Sequence, residues 1–190
     1  VKMFGEDREL AGFYQSSIML ANMPYYMTTG MLSVLFPQIV RSRNPEEVSA
    51  HTAETLRIIL IFFLPVELVL FMAPGQILGI VFPDAYQSAA PMLRILAVAN
   101  VALILTALLA NIFEATRRAI IPGRIFLSVI VAEALALRFV VPRYGGVGAA
   151  ICFGAACTLS LAAQLVFYWP ALRSVEWKRG LNWLGRYALS

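Results

Sequence analysis

The sequence predicts an all-α fold: a polytopic bundle of five membrane-spanning helices. Three observations carry that expectation. Sixty per cent of the 190 residues are hydrophobic and 14% are charged, whereas soluble chains average about 25% charged. The apolar residues fall into five runs, each near the ~20 residues that a spanning helix needs. None of the runs alternates with period two for long, which argues against a lipid-facing barrel. A soluble domain of this size could not hide so much apolar surface. The net charge of +4 sits mainly in short loops between the runs, a membrane-topology pattern and not a nucleic-acid footprint.

The first run covers roughly 12–40 and contains Pro24, which removes a backbone donor and should kink the helix. Asn44-Pro45-Glu46-Glu47 reads as a helix start, with Asn44 capping, Pro45 at the first helical position and Glu47 at the capping-box position. Segment 45–57 is then a cytoplasmic lead-in to the second run, near 53–73, which holds Pro65 and ends at Pro74-Gly75. The third run lies near 87–113, the fourth near 119–141 and the fifth near 145–169. Pro142 and Gly145-Gly146 separate the last two. Residues 1–172 thus form a transmembrane half-bundle, and 173–190 a basic cytoplasmic tail or the start of a further helix. The chain opens on Val1, and VKMFGEDREL has no apolar signal region. We therefore read it as a piece of a longer protein. Cys152 and Cys157 lie five apart in one apolar run and read as small packing residues.

Five spans place the loops on alternating sides. One side holds Lys2, Arg8 and Arg143; the other holds Arg41, Arg43, Arg57, Arg117, Arg118, Arg124, Arg173, Lys178, Arg179 and Arg186. Three against ten puts the second set in the cytoplasm. The amino end is then outside and the carboxy end inside. Tyr14, Tyr86, Tyr144, Tyr168 and Trp169 fall near the expected interfaces, as aromatic anchors or simply as bulky helix ends.

Several local patterns point to one family. Gly12 and Tyr14 open a helix that closes on Leu35-Phe36-Pro37. Tyr86 and Ala89 precede Leu93-Arg94-Ile95-Leu96, after the apolar hairpin ILGIVFP. FEATRRAIIPGRI follows the next run, and Pro142, Tyr144, Gly145, Gly148, Ala149 and Ala150 form a further turn pattern. In order and spacing these resemble the carboxy-terminal half of polysaccharide biosynthesis membrane proteins. Those are the O-antigen and other lipid-linked oligosaccharide flippases of the multidrug/oligosaccharidyl-lipid/polysaccharide exporter superfamily. The pattern departs at Pro83, where the family often has Gly. The resemblance implies a MATE-like transporter of about twelve to fourteen spans in two halves, working by alternating access around a central cavity. Under a twelve-span count the runs here are the eighth to twelfth, and the missing amino-terminal half supplies the other wall. The implied partners are a lipid-linked oligosaccharide, the bilayer and other polysaccharide-assembly proteins, in a bacterial or archaeal cytoplasmic membrane.

Ionisable groups inside spans are costly and face a cavity or a partner. Glu67 and Glu133 lie a little outward of the centres of the second and fourth runs, Arg94 farther outward in the third, and Arg138 near the outer end of the fourth. The functional expectation is a polar patch on the cavity wall. Arg94 would attract the pyrophosphate or acidic sugars of a lipid-linked glycan. Glu133 or Glu67 would take a proton or hold a cation, giving proton or sodium coupling; no other cofactor is expected. The structural alternative is a buried pair such as Glu67 with Arg94, and snorkelling of Arg138. Asn22, Asn100 and Asn111 either line the cavity or, as we favour, hydrogen-bond between helices. Gly146, Ala150, Gly154 and Thr158 form a small-residue stripe suited to close packing. His51 reads as solvated surface.

No nucleophile-and-base set, Walker loop, metal-spaced His or Cys set, or dinucleotide glycine pattern is present. The chain is expected not to be an enzyme. A membrane glycosyltransferase would need a large extramembrane loop, and none here exceeds about 17 residues. The alternative within the superfamily is a cation-driven drug or metabolite exporter; an inert fragment is the remaining reading.

Overall fold

The computed structural model describes residues 2–41, 45–115 and 120–174, and nearly all of them are helical. In chain order these are α1 (Lys2–Ala21), α2 (Met23–Arg41), α3 (Pro45–Met72), α4 (Pro74–Val81), a 3-10 turn (Asp84–Ala89), α5 (Ala90–Ala115) and α6 (Ile120–Ser174). Arg43, the expected cap Asn44, Arg117, Arg118 and the tail from 175 onward lie outside the described residues.

Three stretches are long and apolar enough to cross a membrane: His51–Met72, Asp84–Glu114 and Ile120–Phe167. Five runs were expected, and two backbone features account for the difference. The first expected run is divided between α1 and α2. Asn22 N–H donates to the Ile18 carbonyl (2.9 Å) and Tyr26 N–H to the Asn22 carbonyl (3.0 Å). Pro24, however, has no N–H to offer the Leu20 carbonyl. The 19 residues of α2 also include Thr28, Thr29 and Ser33. Their hydroxyls donate back to the carbonyls of Pro24, Tyr26 and Gly30 at 2.8, 2.9 and 2.6 Å.

The second feature lies inside α6, whose 55 residues contain one non-helical position, Gly145, at φ 56° and ψ −142°. A Cβ on Gly148 would meet Val140 Cγ1 at 2.9 Å and Tyr144 Cβ at 2.8 Å. Residues eight apart in a straight helix are separated by about 12 Å. The chain therefore turns back on itself, and α6 is two helices, 120–144 and 146–174, folded against each other. Only glycine holds that dihedral pair without strain. The break comes after Pro142, so the helix runs through Pro142 and Arg143 before it reverses.

α5 is the hub of the bundle. One buried cluster joins Leu20 and Ala21 of α1, Leu70 of α3, Leu93, Leu96 and Ala97 of α5, and Ala150 of α6. A second joins Leu32 of α2, Ile59 and Phe63 of α3, and Ile104, Leu108 and Ile112 of α5. These pairings set the directions. α3 runs antiparallel to α5, while α1 and α2 run parallel to it. Residues 146–174 also run parallel to α5, since Gly146 lies against Met92 and a Cβ on Gly154 would come 3.5 Å from Ala99 Cβ. The small-residue stripe packs as a seam as far as Gly154; Thr158 is exposed and its hydroxyl bonds the Gly154 carbonyl at 2.9 Å.

Pro74-Gly75 does not simply end the second run. Pro74 opens α4, with Ala73 before it. Pro83 stands before the 3-10 turn, where Tyr86 N–H reaches its carbonyl at 2.9 Å. Tyr86 then meets Phe13 edge-on (centroids 5.2 Å) and stacks on Phe82 (5.3 Å). A Cβ on Gly12 would come 3.5 Å from the Tyr86 hydroxyl. The Gly-x-Tyr and Tyr-x-x-Ala patterns, far apart in sequence, thus meet midway along α1.

Candidate functional site

Each helix around α5 presents a buried stripe. On α5 it runs through Leu93, Leu96, Ala97, Ile104, Leu108 and Ile112; on α3 through Ile59, Phe63 and Leu70. On α1 and α2 it runs through Ser17, Leu20, Ala21, Pro24, Thr28 and Leu32. The spacing of three and four residues keeps each stripe on one helical face. Polar residues interrupt the stripes between the two apolar clusters. Asn100 falls between Ala97 and Ile104, and Glu67 between Phe63 and Leu70. Asn22 sits at the α1–α2 junction, between Ala21 and Pro24.

The antiparallel pairing puts Glu67 level with Asn100 and Val101. A small crevice between α3 and α5 is lined by Phe63, Glu67, Val101, Ile104 and Leu105 among others. A wider apolar groove runs beside it, where Met23, Pro24, Met27 and Met31 of α2 face Phe62, Phe63 and Val66 of α3. Glu67 and Asn100 therefore lie at one level between α3 and α5, whereas the Ser17–Ala89 contact places Asn22 nearer the level of Arg94.

These residues have unused hydrogen-bonding capacity. Glu67 is 3% exposed and Asn100 fully buried. Both Glu67 carboxylate oxygens, both Asn100 amide atoms and Asn22 Oδ1 are buried without a hydrogen-bond partner. Buried polar groups are ordinarily satisfied, and leaving one unpaired costs about 1–3 kcal/mol. The helix-to-helix hydrogen bonds expected of the asparagines are not formed there. Asn111 turns to its own helix, donating to the Ala107 carbonyl at 2.8 Å.

The remaining charged candidates are elsewhere. Arg94 Nε donates to the Phe71 carbonyl near the end of α3 (3.1 Å), and its guanidinium lies 5.7 Å from the centre of the Phe71 ring. It closes one of the last, unsatisfied carbonyls of α3. It does not pair with Glu67, and the expected alternative of such a pair is overturned: the α3 C-terminal carbonyls offer Arg94 a nearer partner. Glu133 is half-buried on residues 120–144, within electrostatic range of Tyr14 and Cys157. Arg138 is exposed on the same helix. No ion pair joins any two of Glu67, Arg94, Glu133 and Arg138.

Among the described residues, two buried and unpartnered polar residues escaped the sequence reading: Ser160 and Gln164. Both are buried, and Ser160 Oγ, Gln164 Oε1 and Gln164 Nε2 have no hydrogen-bond partner. Their i, i+4 spacing continues the buried line of Cys152 and Ala156, and that periodicity was the available signal. Cys152 and Cys157 are buried free thiols. Among the described residues, no group of three His, Cys, Asp or Glu side chains is arranged to hold a metal ion.

The family model described as lipid II flippase MurJ matches residues 11–186. No curated protein and no solved structure matches the chain. The family matched is one of lipid-linked precursor flippases in the same superfamily as the sequence resemblance, and the particular lipid it names is lipid II, not an O-antigen unit. With a match over nearly the whole of its length, and with helices apolar enough to span a membrane, this chain belongs to the lipid II flippase MurJ family, whose members are membrane transporters and not enzymes.

Proposed function

We propose that the chain forms one wall of a flippase that moves lipid II, or a closely similar lipid-linked glycan precursor, across the cytoplasmic membrane by alternating access. The family match over residues 11–186 carries this reading. The wall consists of five crossings: α1 with α2, α3, α5, and the two parts of α6. A further, amino-terminal half provides the facing wall in a MATE-like arrangement. The amino end lies outside and the carboxy end in the cytoplasm, supported by the three-against-ten distribution of Lys and Arg.

Within this reading Arg94 and Glu133 mark the outer part of the path. Arg94 uses Nε on α3, which leaves its terminal nitrogens for a phosphate or acidic sugar. Glu133 remains half-exposed and suits a group that exchanges a proton or cation during transport. Arg138 and the amide of Asn22 extend the polar surface.

The test is translocation by the full-length protein in liposomes loaded with fluorescent lipid II, read by access to an external quencher. Flipping of lipid II in preference to an undecaprenyl-linked O-antigen unit is the expected result. The reverse preference would move the substrate to the O-antigen class. No flipping of either would remove the reading. Arg94→Gln and Glu133→Gln should each reduce the rate at normal expression; unchanged rates in both would take these residues out of the path.

A further inference from the structure

The hairpin between α3 and α5 carries an apolar surface that the bundle leaves uncovered, and we infer that it is an interfacial anchor. α4 inserts Ile80 and Val81 into the acyl region of the bilayer leaflet at that end of the bundle, and the 3-10 turn returns among the headgroups. No charged residue lies between Glu67 and Asp84. The chain therefore leaves the span His51–Met72, breaks and reaches its reversal without a charged side chain. Aliphatic side chains without charge at the end of a span suit the membrane boundary better than water.

Packing divides α4 into two sides. Leu78 is fully buried in the cluster with Leu70, Ala89 and Leu93, and Ile77 and Phe82 pack against that cluster. These contacts fix the helix on the end of the bundle. The other side faces away: Ile80 is 84% exposed and Val81 54%. The helix has one polar side chain, the uncharged Gln76. The apolar exposure of the span does not stop where the span does. Leu68, Val69 and Met72 of α3 are each more than half exposed. After the break at Ala73 the exposure resumes at Ile80 and Val81.

The backbone suits a place with little water, where each N–H has to find a carbonyl. Around the two breaks, Ala73 N–H donates to the Val69 carbonyl (2.9 Å) and Ile77 N–H to the Ala73 carbonyl (3.1 Å). Phe82 N–H donates to the Leu78 carbonyl (2.8 Å) and Tyr86 N–H to the Pro83 carbonyl (2.9 Å). Pro74 and Pro83 stand at the breaks and have no N–H to satisfy. The polar groups are kept on the returning leg. Asp84 accepts from Gln87 Nε2 at 3.0 Å, and Ser88 Oγ donates to the Ala85 carbonyl at 2.8 Å. Asp84, Gln87 and Ser88 are all exposed. One leg is thus apolar and the other polar, the division that an element lying in the interface needs.

Tyr86 holds the hairpin in this attitude, set between Phe13 of α1 and Phe82. An aromatic ring with one polar edge is a common anchor at that depth. The hairpin touches α1, α3 and α5, so its insertion fixes the depth of all three. The bilayer is the occupant because the uncovered surface is small, aliphatic and free of charge. A stable protein partner buries about 800 Å² on each side, far more than Met72, Ile80 and Val81 offer. The anchor rests on the membrane location of the helices and not on the flippase reading.

The experiment measures depth in the purified full-length protein, held in vesicles of phosphatidylcholine and phosphatidylglycerol. Ile80→Cys, Val81→Cys and Ala85→Cys, each in a background without other cysteines, carry a nitroxide. Its collisions with oxygen and with a water-soluble nickel chelate give its depth. Labels at positions 80 and 81 should lie about 5–10 Å below the headgroup boundary, where an interfacial apolar face resides. The label at position 85 should stay on the aqueous side. A label at position 80 reached by the nickel chelate as freely as one at position 85 would overturn the anchor. So would a label that neither reagent reaches, which would put the facing half or a second copy on α4. Labelling of the wild-type protein by a lipid-soluble carbene precursor is a second readout and needs no variant. Residues 76–82 should be labelled along with 68–72; label on 68–72 alone would overturn the anchor. Insertion without lipid II flipping would keep the anchor and remove the flippase reading; flipping by a protein whose hairpin stands in water would do the reverse.

Discussion

α5 and the first part of α6 are similarly apolar and comparably long, yet they occupy opposite environments. Half of the most apolar window in Asp84–Glu114 is buried within the bundle, against 6% of the corresponding window in Ile120–Phe167. On α5 the face from Leu93 to Ile112 meets α1, α2 and α3. On residues 120–144, Leu127, Ile130, Val131 and Leu135 are all exposed, with Leu127 at 66%. Hydropathy reports that a helix avoids water; it does not report whether the helix turns to protein or to lipid. Polar residues make the distinction. α5 places Asn100 and Thr106 inside, where neighbouring helices must accommodate them. The outer helix keeps Glu133 only half-buried and Arg138 at the surface.

The contrast can be broken most directly by truncating one residue in each region. Leu96→Ala removes a fully buried side chain and should destabilise the protein by about 2–5 kcal/mol. Leu127→Ala should stay within about 0.5 kcal/mol. Unfolding of the full-length protein in detergent reads both; equal effects would mean that residues 120–144 pack against protein as tightly as α5 does. Next in size is the reversal that separates the two parts of α6. Gly145→Ala meets no neighbour within 4 Å but has to adopt φ 56°, which should cost about 1–3 kcal/mol through backbone strain. A neutral Gly145→Ala would show that the turn does not require glycine.

Smaller effects sharpen the same comparison. Arg94→Gln removes the donor to the Phe71 carbonyl and the contact with its ring, and should cost about 1 kcal/mol. Lysine in its place should recover little, because one ammonium cannot reproduce both the directed Nε bond and the planar contact. Cys152 and Cys157 lie on the side of α6 that turns inward. Their alkylation by a maleimide should follow unfolding, while a cysteine introduced at Leu127 in a background without them should be reached by lipid-soluble quenchers in the folded protein. Rapid alkylation of the native pair would reverse the assignment of faces.

Much of the helix content was legible because its signals are local. The breaks at Pro24 and Gly145 follow from a missing N–H and from a dihedral that only glycine tolerates. The α4 hairpin was half-legible: Pro74-Gly75 read as an end, though Pro74 begins a further short helix. Which of the intramembrane polar residues would pair was not legible. Glu67 and Arg94 suggested a pair because both are charged and both lie toward the outer side. Register instead sends Arg94 to Phe71 and places Glu67 level with Asn100. Gln164 passed unnoticed because a single amide in an apolar run has no local consequence; its burial depends on which way residues 146–174 face.

By itself the sequence determined that this chain is helical and apolar enough for membrane, where its helices bend or reverse, and which patterns place it among lipid-linked precursor flippases. Those properties depend on composition, on periodicity and on single residues with restricted backbones, all of which act within a few positions. The tertiary structure decided which faces meet, that α5 is the hub, and that Glu67 of α3 and Asn100 of α5 are buried at one level between two apolar clusters. Lateral register between helices depends on the combined packing of side chains distant in the chain, so no local pattern specifies it.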